Sequence, residues 1–536
     1  MKKLKLVCVA IAMAGAAPTF AGGLLTNTNQ HVAFNRMMSR EASIGIDGVY
    51  YNPAGVVFMG EGHHLAINWQ LAYQTRTINN DYKLFTNNVN NPITPRDFKG
   101  KAFAPVIPSF QYAYNKGKWS FQANFSLTGG GGKCTFDDGL GSFEKIVSET
   151  AIAACGLAGV VDQTLGNTLG QQGMEMFTSD QAFGKTGKYS FNSYMHGRQY
   201  YYGLSAGAAY KFCDNFSAFL GVRGVYALTN YYGYVENINV GNMPLYKVLD
   251  PTKENAANIE LSCDQTGVGF TPIIGVDYKT DRWNFSAKYE FKTRIRLKNK
   301  SVNQTPSIGN LPANLANQMT GILTARYQQA GLPLEQAKQQ AENTTNTVLS
   351  DPKVGATMMG LKTQFDQKLN KAIGEYEDGK KIAGDIPAYL ALGIGYSPVD
   401  AVRVNVGFHW FDDKNATSYN NRNKELKRGT LEYNAGVEVD VNKKITLSTG
   451  WQNTNYGLSD EYMDDKSFVV SSNSAAIGGV YHINKKMDLN VAYFHTFYQH
   501  KKTSETVQLA ADKSVVYNSD YTRNNNVFAV GLDINF

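Results

Sequence analysis

Residues able to do acid–base or nucleophilic chemistry are few in this chain, and they are not grouped. None of the eight histidines lies in a nucleophile motif, and the adjacent His63 and His64 would point to opposite faces of a strand. The five cysteines contain no CxxC pair that would suggest zinc. We therefore expect no catalytic residue, no metal site and no cofactor, and we do not predict an enzyme.

Three basic residues could bind a ligand and not catalyse a reaction. Arg223, Lys288 and Arg403 fall on the polar face of segments in which polar and apolar residues alternate. A guanidinium or ammonium group on that face can bind a carboxylate through charge-assisted hydrogen bonds. Each of the three is more readily explained as an ordinary charge of a polar interior, and both interpretations stay open.

The alternation itself predicts the elements that carry these residues. Segments such as 119–127, 283–291, 402–410 and 445–451 change between apolar and polar residues at every step. A period of two indicates strands with one apolar and one polar face. Basic residues on the polar face would lie mid-membrane if that face met lipid, so it must line a polar interior.

Counting such segments predicts fourteen strands, and bacterial outer-membrane barrels have an even number. Short connections, such as residues 115–117 and 213–214, alternate with mostly longer ones, which indicates short inner turns and long outer loops. The predicted fold class is all-β, a fourteen-stranded antiparallel transmembrane β-barrel. Its predicted strands span residues 62–79, 100–115, 118–129, 196–212, 215–236, 258–279, 282–299, 385–397, 401–414, 426–441, 443–457, 468–484, 486–501 and 521–536.

The beginning of the sequence predicts export. Lys2, Lys3 and Lys5 precede an apolar run of about a dozen residues, and small residues precede a cut after Ala21, so residues 1–21 are predicted to be a signal peptide. Beyond them no run of eighteen apolar residues predicts a membrane helix. Tyr, Phe and Gly are abundant, at 32, 28 and 51 residues. This composition fits a barrel in the outer membrane, and a large secreted β-protein equally well, so the alternation of the strands has to decide between them.

The last alternating segment ends on Phe536. Outer-membrane barrels pair their terminal strand with the first strand, which removes the exposed sheet edge. We expect the barrel-assembly machinery to engage this C-terminal strand, and we expect a monomer. The formal net charge of +7 is spread along the chain without a basic stripe, so nucleic acid is not an expected partner.

Two parts are predicted after the signal peptide. Residues 22–61 lack alternation and are too few for a separate domain, so we expect them inside the barrel as a plug. Residues 62–536 form the barrel, with long outer loops at about 130–195 and 300–384. Loops of this length are not expected to be structureless.

The second long loop shows helical spacing. Apolar residues recur at Met358, Leu361, Phe365 and Leu369, which places them on one face of a helix. This face could pack against other loop helices, or it could form an exposed apolar landing site for a hydrophobic ligand. The residues alone leave both alternatives open.

The cysteines permit disulfides, because the cell envelope is oxidising. Cys134 and Cys155 fall in the same predicted outer loop, so a bridge between them is plausible but not determined. Cys213 falls at an inner turn and Cys263 near an outer strand end, which makes their pairing geometrically unfavourable.

The motif Asn52-Pro53-Ala54 lies just before the first strand. Pro53 fixes its own φ angle and restricts Asn52 to extended or turn conformations, and the Asn side chain can bond nearby backbone groups. Taken alone, these residues predict a rigid turn between plug and barrel.

The motif, with other features, resembles a known family. The segment 22–27, the motif at 51–55 and the stretch 385–393 are similar to those of the FadL/TodX family of outer-membrane transporters of hydrophobic compounds. The similarity covers essentially the whole chain beyond the signal peptide, although Asn35, Met37 and Met38 stand where relatives carry small residues. Thr28 also stands where glutamate is frequent.

The resemblance implies passive uptake of hydrophobic molecules, first long-chain fatty acids and otherwise aromatic hydrocarbons. It implies a plug, or hatch, that moves on ligand binding and a wall opening through which cargo leaves sideways. Membrane lipids and lipopolysaccharide would surround the barrel. Residues 129–132, four glycines, could loosen the wall after the third strand. A general polar porin, an adhesin or a phage receptor are the alternatives.

Overall fold

The structure is a computed structural model that describes residues 24–306, 310–510 and 513–536, with the side chains at 364–373 also left undescribed. The predicted signal peptide at 1–21 therefore lies outside the described residues. The same is true of the side chains of Phe365 and Leu369.

The described residues form a closed barrel of fourteen antiparallel strands, which confirms the predicted fold class. Three strands are each interrupted and have two parts. The strands are β1 (Gly62–Tyr82), β2 (Arg96–Lys116), β3 (Trp119–Phe136), β4 (Tyr189–Cys213), β5 (Phe216–Val240), β6 (Ile259–Lys279), β7 (Trp283–Glu290 and Arg296–Gln304), β8 (Lys381–Ala383 and Tyr389–Val399), β9 (Val402–Phe411), β10 (Thr430–Asn442), β11 (Ile445–Asn455), β12 (Ser472–Asn484), β13 (Met487–Tyr498 and Lys501–Ala510) and β14 (Lys513–Asn535).

The barrel closes where the last strand pairs with the first. β14 runs antiparallel to β1 in an unbroken register from His64 opposite Asn535 to Tyr82 opposite Tyr517. The amide of Phe536 donates to the carbonyl of His63 at 2.9 Å. This pairing leaves neither terminal strand with an unpaired edge.

The predicted strands differ from the observed strands mainly at their outer ends. β3 continues to Phe136 and β4 already begins at Tyr189, so the loop expected at 130–195 is shorter than predicted. β14 begins at Lys513 instead of residue 521. Above the bilayer both strand faces meet polar surroundings, so the apolar alternation that reveals a strand fades although the hydrogen-bonded ladder continues.

The outer wall is apolar. Large side chains on neighbouring strands face outward, including Leu204, Leu220 and Phe270 with 63, 68 and 70% of their surface exposed. Trp119 packs against Tyr210 at the inner ends of β3 and β4, with ring centroids 4.7 Å apart. A closed barrel with such a surface is the form in which proteins cross bacterial outer membranes, and this localises the chain there.

Helices cover the outer mouth of the barrel, and two short helices lie in the N-terminal segment inside it. The helices are α1 (Val32–Met37), α2 (Gly48–Tyr51), α3 (Gly141–Leu169), α4 (Tyr246–Leu249), α5 (Leu311–Gln329), α6 (Leu334–Leu349) and α7 (Pro352–Ile373). Short 3-10 helices span Gly55–Phe58, Lys83–Asn87, Gly374–Tyr376, Asp413–Asn415 and Tyr419–Glu425, and a two-residue strand, Met243–Pro244, adds to the outer end of β5.

Among the described residues, only α3 is a helix long and apolar enough to cross a membrane by length and composition. Half of its most apolar 18-residue window is buried. Its residues Phe143, Val147 and Leu165 belong to the largest apolar cluster, which joins the outer strand ends to the loop helices. α3 thus packs as a core helix of the outer loops.

The four described cysteines, Cys134, Cys155, Cys213 and Cys263, are all free thiols. The bridge considered between Cys134 and Cys155 is therefore not formed. Cys134 is buried on the inner face of β3, whereas the Cys155 thiol on α3 donates to the carbonyl of Phe183.

Candidate functional site

The N-terminal segment 24–59, which we call the plug, lies inside the barrel and is almost wholly buried. It meets the wall through charged contacts with strands distant in sequence. Arg36 forms an ion pair with Glu438 on β10, and Glu41 accepts a hydrogen bond from His409 on β9 at 2.6 Å. The other ring nitrogen of His409 forms a hydrogen bond with Glu432 at 2.8 Å. The imidazole therefore bridges two carboxylates, and this bridge holds the plug on the wall.

The Asn-Pro-Ala motif makes contact with three different strands. The Asn52 amide donates to the Asp277 carboxylate on β6 at 2.6 Å. The carbonyl of Pro53 accepts from Gln122 on β3 at 2.7 Å, and that of Ala54 accepts from Ser217 on β5 at 2.7 Å. The motif is therefore more than a local turn, because it anchors the plug's end to the wall.

Two of the three predicted cations come together. Arg223 on β5 makes a bidentate pair with Glu290 on β7, with distances of 2.5 and 3.0 Å. Lys288 donates to the same carboxylate at 2.9 Å and to the carbonyl of Tyr50 in the plug at 2.6 Å. Because Glu290 pairs with both cations and Lys288 also donates to the plug backbone, this cluster holds the plug.

Arg403 lies apart from that cluster, nearer the inner rim on β9. It donates to Glu438 at 2.8 Å and to Asp440 at 2.6 and 2.7 Å. Glu438 also pairs with Arg36 and Arg40 of the plug. This network is a second anchor of the plug.

The loop residues Met358 and Leu361 are buried on α7 and belong to the apolar cluster that includes α3 and α5. This position agrees with the first interpretation, in which the loop helices pack against each other. These two side chains do not form an exposed landing site.

The barrel wall has a gap between β2 and β3. The strands pair at 100–102 with 134–136 and again at 110–116 with 119–125, which leaves residues 103–109 and 126–133 without ladder bonds to each other. β3 bulges here twice, and Gly130 has a left-handed φ of 71° that glycine adopts without strain. The glycine run predicted to loosen the wall lies within the gap.

The plug satisfies backbone groups at the edge of this gap. The carbonyl of Leu127 accepts from Asn27 at 3.1 Å and from Gln30 at 2.7 Å. The amide of Asn27 donates to the carbonyl of Thr128 at 2.9 Å. A shift of Asn27 and Gln30 would leave these carbonyls without their hydrogen bonds. The position of the plug is therefore coupled to the hydrogen bonding of the wall at the gap.

A cavity of about 870 Å³ lies between the plug and the outer loops. Leu24 and Leu25 of the plug contribute to its lining, and tyrosines such as Tyr201 and Tyr231 line its sides. The charged lining is mostly acidic, with nine carboxylates against three cations. The carboxylates are Glu149, Glu375, Asp385, Asp413, Glu425, Glu461, Asp464, Asp465 and Glu505, and the cations are Lys145, Arg422 and Lys466.

Three of these carboxyl groups, all in outer loops, titrate above their ordinary range, and burial raises the pKa of Asp413 to about 6. Burial raises the pKa of Glu375 to about 7. Burial, together with the neighbouring Asp464, raises the pKa of Asp465 to about 6. The cavity consequently becomes more negative as the pH rises from 5 to 8.

Sequence reasoning missed the acidic partners of the plug: Asp277, Glu290, Glu432 and Glu438. Lys288 and Glu290 are two residues apart on one strand face, so their contact could have been inferred from the alternation. The other pairs join residues far apart in the sequence and need the strand register.

Comparison with known proteins supports the fold. No protein-family model and no curated protein sequence matches the chain. Among solved structures, the chain is similar to a Pseudomonas aeruginosa FadL homologue, with a TM-score of 0.58, 14% identity and coverage of 96% of this chain and 100% of that one. It is also similar to a TodX mutant described as a monoaromatic hydrocarbon channel, with a TM-score of 0.50, 13% identity and coverage of 94 and 99%. At these identities the likeness shows a shared fold.

Proposed function

We propose that the chain is a member of the FadL/TodX family and takes up hydrophobic molecules across the outer membrane by diffusion. The gap between β2 and β3 is the observation that carries this proposal. A barrel for polar solutes gains nothing from a break in its wall, whereas an apolar molecule can leave through one into the bilayer. The plug residues bonded to the gap's edge supply the means of opening it.

The path starts in the outer cavity, whose floor includes Leu24 and Leu25. Binding there presses on the beginning of the plug, and Asn27 and Gln30 follow directly in the chain. Their displacement from Leu127 and Thr128 would expose the gap. The anchors at Asn52, Glu41 and Arg36 keep the rest of the plug in place, so the lumen stays closed to ions.

Long-chain fatty acids are the substrates we propose first, and aromatic hydrocarbons are the second candidate. The solved structures with a similar fold include both a FadL homologue and a monoaromatic hydrocarbon channel. The cations first considered as carboxylate ligands, Arg223, Lys288 and Arg403, do not support either choice because acidic side chains already pair with them.

Substitution of the glycines in the gap tests the proposal. A Cβ at residue 129 would lie 2.4 Å from the carbonyl oxygen of Leu25, so Gly129→Val should displace the plug's start and disturb the exit. Uptake of radiolabelled oleate and toluene by cells lacking other such channels should fall several-fold. Gly224→Ala is the matched control, because its Cβ would meet Phe270 at an ordinary 3.7 Å.

Conductance separates this proposal from a general porin. The intact protein in a planar bilayer should show little ion current, since the plug fills the lumen. A large, steady current through the unmodified barrel would overturn the transporter proposal. A current that appears only after residues 24–48 are deleted would support it.

The plug anchor at Asn52 gives a further test. Asn52→Ala removes the bond to Asp277, and a hydrogen bond to a charged group is worth about 1.5–3 kcal/mol. Oleate uptake should become several-fold slower while the folded barrel still forms, as judged by its heat-dependent gel mobility. Asn90→Ala, in an exposed outer loop, is the control; equal uptake by both variants would remove the gating role of Asn52.

A further inference from the structure

Four basic residues follow one another on the outward face of β7, toward its outer end. Arg294, Arg296, Lys298 and Lys300 are all exposed. The residues between them are buried, and one of these, Leu297, lines the outer cavity. Alternate residues of a strand are about 6.6 Å apart, so the four positive charges form a column about 20 Å long.

Lys381 on β8 adds a fifth cation beside this column. It lies directly opposite Lys298 in the strand register, and both side chains are exposed. Like charges placed directly opposite each other in a sheet repel, so this pair costs the free barrel stability. We call Lys381 and the four basic residues of β7 the cation strip.

The cation strip has little compensation from acidic residues. Of its five members, only Arg296 forms an ion pair with another described residue, the buried Asp385. Asp264 on β6 lies opposite Lys300 in the register, but its carboxylate accepts from the Asn230 amide at 2.8 Å and forms no ion pair with the lysine. Within the described parts of the chain, four positive charges therefore face outward without a counter-charge.

The cation strip borders the lipid-facing part of the wall. Val268 and Phe270 on β6 and Phe291 on β7 are large apolar side chains exposed on the outside of the barrel. The ladder that pairs Thr266 with Lys298 places Val268, two residues further along β6, next to the strip. An amphiphile whose acyl chains cover these apolar side chains would hold its head group against the cations.

The closing strand of the barrel has no such charges at the corresponding positions. On β14 the outward residues that follow the exposed Phe528 toward the outer end are Asn526, Asn524 and Thr522. These side chains are polar and uncharged. The cation strip is therefore a local feature of β7 and β8 and not the general composition of the outer rim.

We propose that the cation strip binds the phosphorylated head group of lipopolysaccharide, whose acyl chains cover Val268, Phe270 and Phe291. The strip lies toward the long outer loops, and hence at the leaflet that lipopolysaccharide forms. Arginine and lysine form charge-assisted hydrogen bonds with phosphate oxygens, and a glycolipid with several phosphates matches a column of several cations. The bound phosphates also remove the repulsion between Lys298 and Lys381. This inference concerns the outward face of the barrel and does not rest on the proposed uptake function.

Binding of fluorescent lipid A, the phosphorylated membrane anchor of lipopolysaccharide, to the purified full-length protein in a nonionic detergent tests the proposal. The unmodified protein should bind lipid A at least tenfold more tightly than its dephosphorylated form. A fourfold variant, Arg294→Gln, Lys298→Gln, Lys300→Gln and Lys381→Gln, should bind lipid A about tenfold more weakly and the dephosphorylated form unchanged. Arg296 is kept in this variant because it pairs with Asp385.

Two outward lysines on β2 provide the matched control. The double variant Lys99→Gln and Lys101→Gln also removes exposed positive charge from the outer wall, and it should bind lipid A as the unmodified protein does. An equal loss of affinity in the control and the fourfold variant would overturn the site, as would equal affinity of the unmodified protein for the two forms of lipid A. Displacement of lipid A by equimolar phosphatidylglycerol, or by millimolar inorganic phosphate, would overturn the choice of lipopolysaccharide.

A stability measurement decides if the fourfold variant does not fold. Lys381→Gln alone removes the repulsion with Lys298, so without lipid it should unfold at a higher temperature than the unmodified protein. Added lipid A should then raise the unfolding temperature of the unmodified protein more than that of the variant. An equal rise in both would contradict binding at the cation strip.

Discussion

The outer cavity and the arginine pair, Arg76 on β1 and Arg523 opposite it on β14, are opposite in charge. The cavity beneath the loops is lined by nine carboxylates and three cations. The arginine pair lies buried against apolar side chains and lacks a counter-charge on Arg76. The difference suggests a division of roles, because a field at an entrance changes association rates whereas buried contacts change retention.

An anion that enters from outside would thus meet repulsion first and attraction afterwards. A neutral hydrocarbon meets neither. The comparison therefore predicts that head-group charge affects entry and binding in opposite directions, and each prediction below changes one of the two regions alone.

The largest effect is expected from reversing the charge at the arginine pair. Arg76→Glu would place a carboxylate opposite Arg523, so that the inner wall loses its positive charge there. Oleate affinity should fall about a hundredfold, in line with the 2–5 kcal/mol lost when a buried charge pair is broken. Equilibrium binding of labelled oleate measures this, and an unchanged affinity would contradict the division of roles.

A smaller effect is expected from neutralising the cavity. Glu375→Gln and Asp465→Asn together should speed the entry of an anionic probe by several-fold at low salt, since fewer like charges repel it. The effect should shrink at 1 M salt, where screening is strong, and oleyl alcohol should enter at the same rate throughout. An equal gain for the alcohol would show that shape, and not charge, limits entry.

The smallest effect is expected from pH. The pKa values of about 7 for Glu375 and about 6 for Asp465 mean that both are mainly neutral at pH 5 and mainly ionised at pH 8. Entry of an alkyl sulfonate, whose own charge does not change in this range, should slow about twofold as the pH rises. The Glu375→Gln and Asp465→Asn double variant should weaken this pH dependence and leave the part that Asp413, with a pKa of about 6, contributes. A profile unchanged by both substitutions would assign the pH effect to other groups.

The sequence allowed the barrel to be predicted well because lipid imposes a period of two on every strand. Segments such as 119–127 and 402–410 show it without ambiguity. The interruption of β7 between Glu290 and Arg296 could not be predicted, because hydrogen-bond pairing with a neighbouring strand leaves no trace in one segment's composition.

The site was predictable only in part. Asn52 could be chosen from its motif, but its partner Asp277 lies 225 residues away and only the fold brings them together. Arg223 and Lys288 were correctly considered to be lumen charges, yet Arg76 and Arg523 were overlooked. Their significance comes from being register partners, and the register of β1 against β14 is a property of the closed barrel.

The ion pair between Arg36 and Glu438 has a consequence for biogenesis. The two residues are 402 positions apart, and the plug leaves the export channel long before β10 does. Its cations must therefore remain solvated, or be held by a chaperone, until most of the wall exists. Because contacts so distant in sequence form slowly, docking of the plug belongs to the end of maturation. A newly inserted barrel would accordingly pass through a leaky, unplugged stage before it seals.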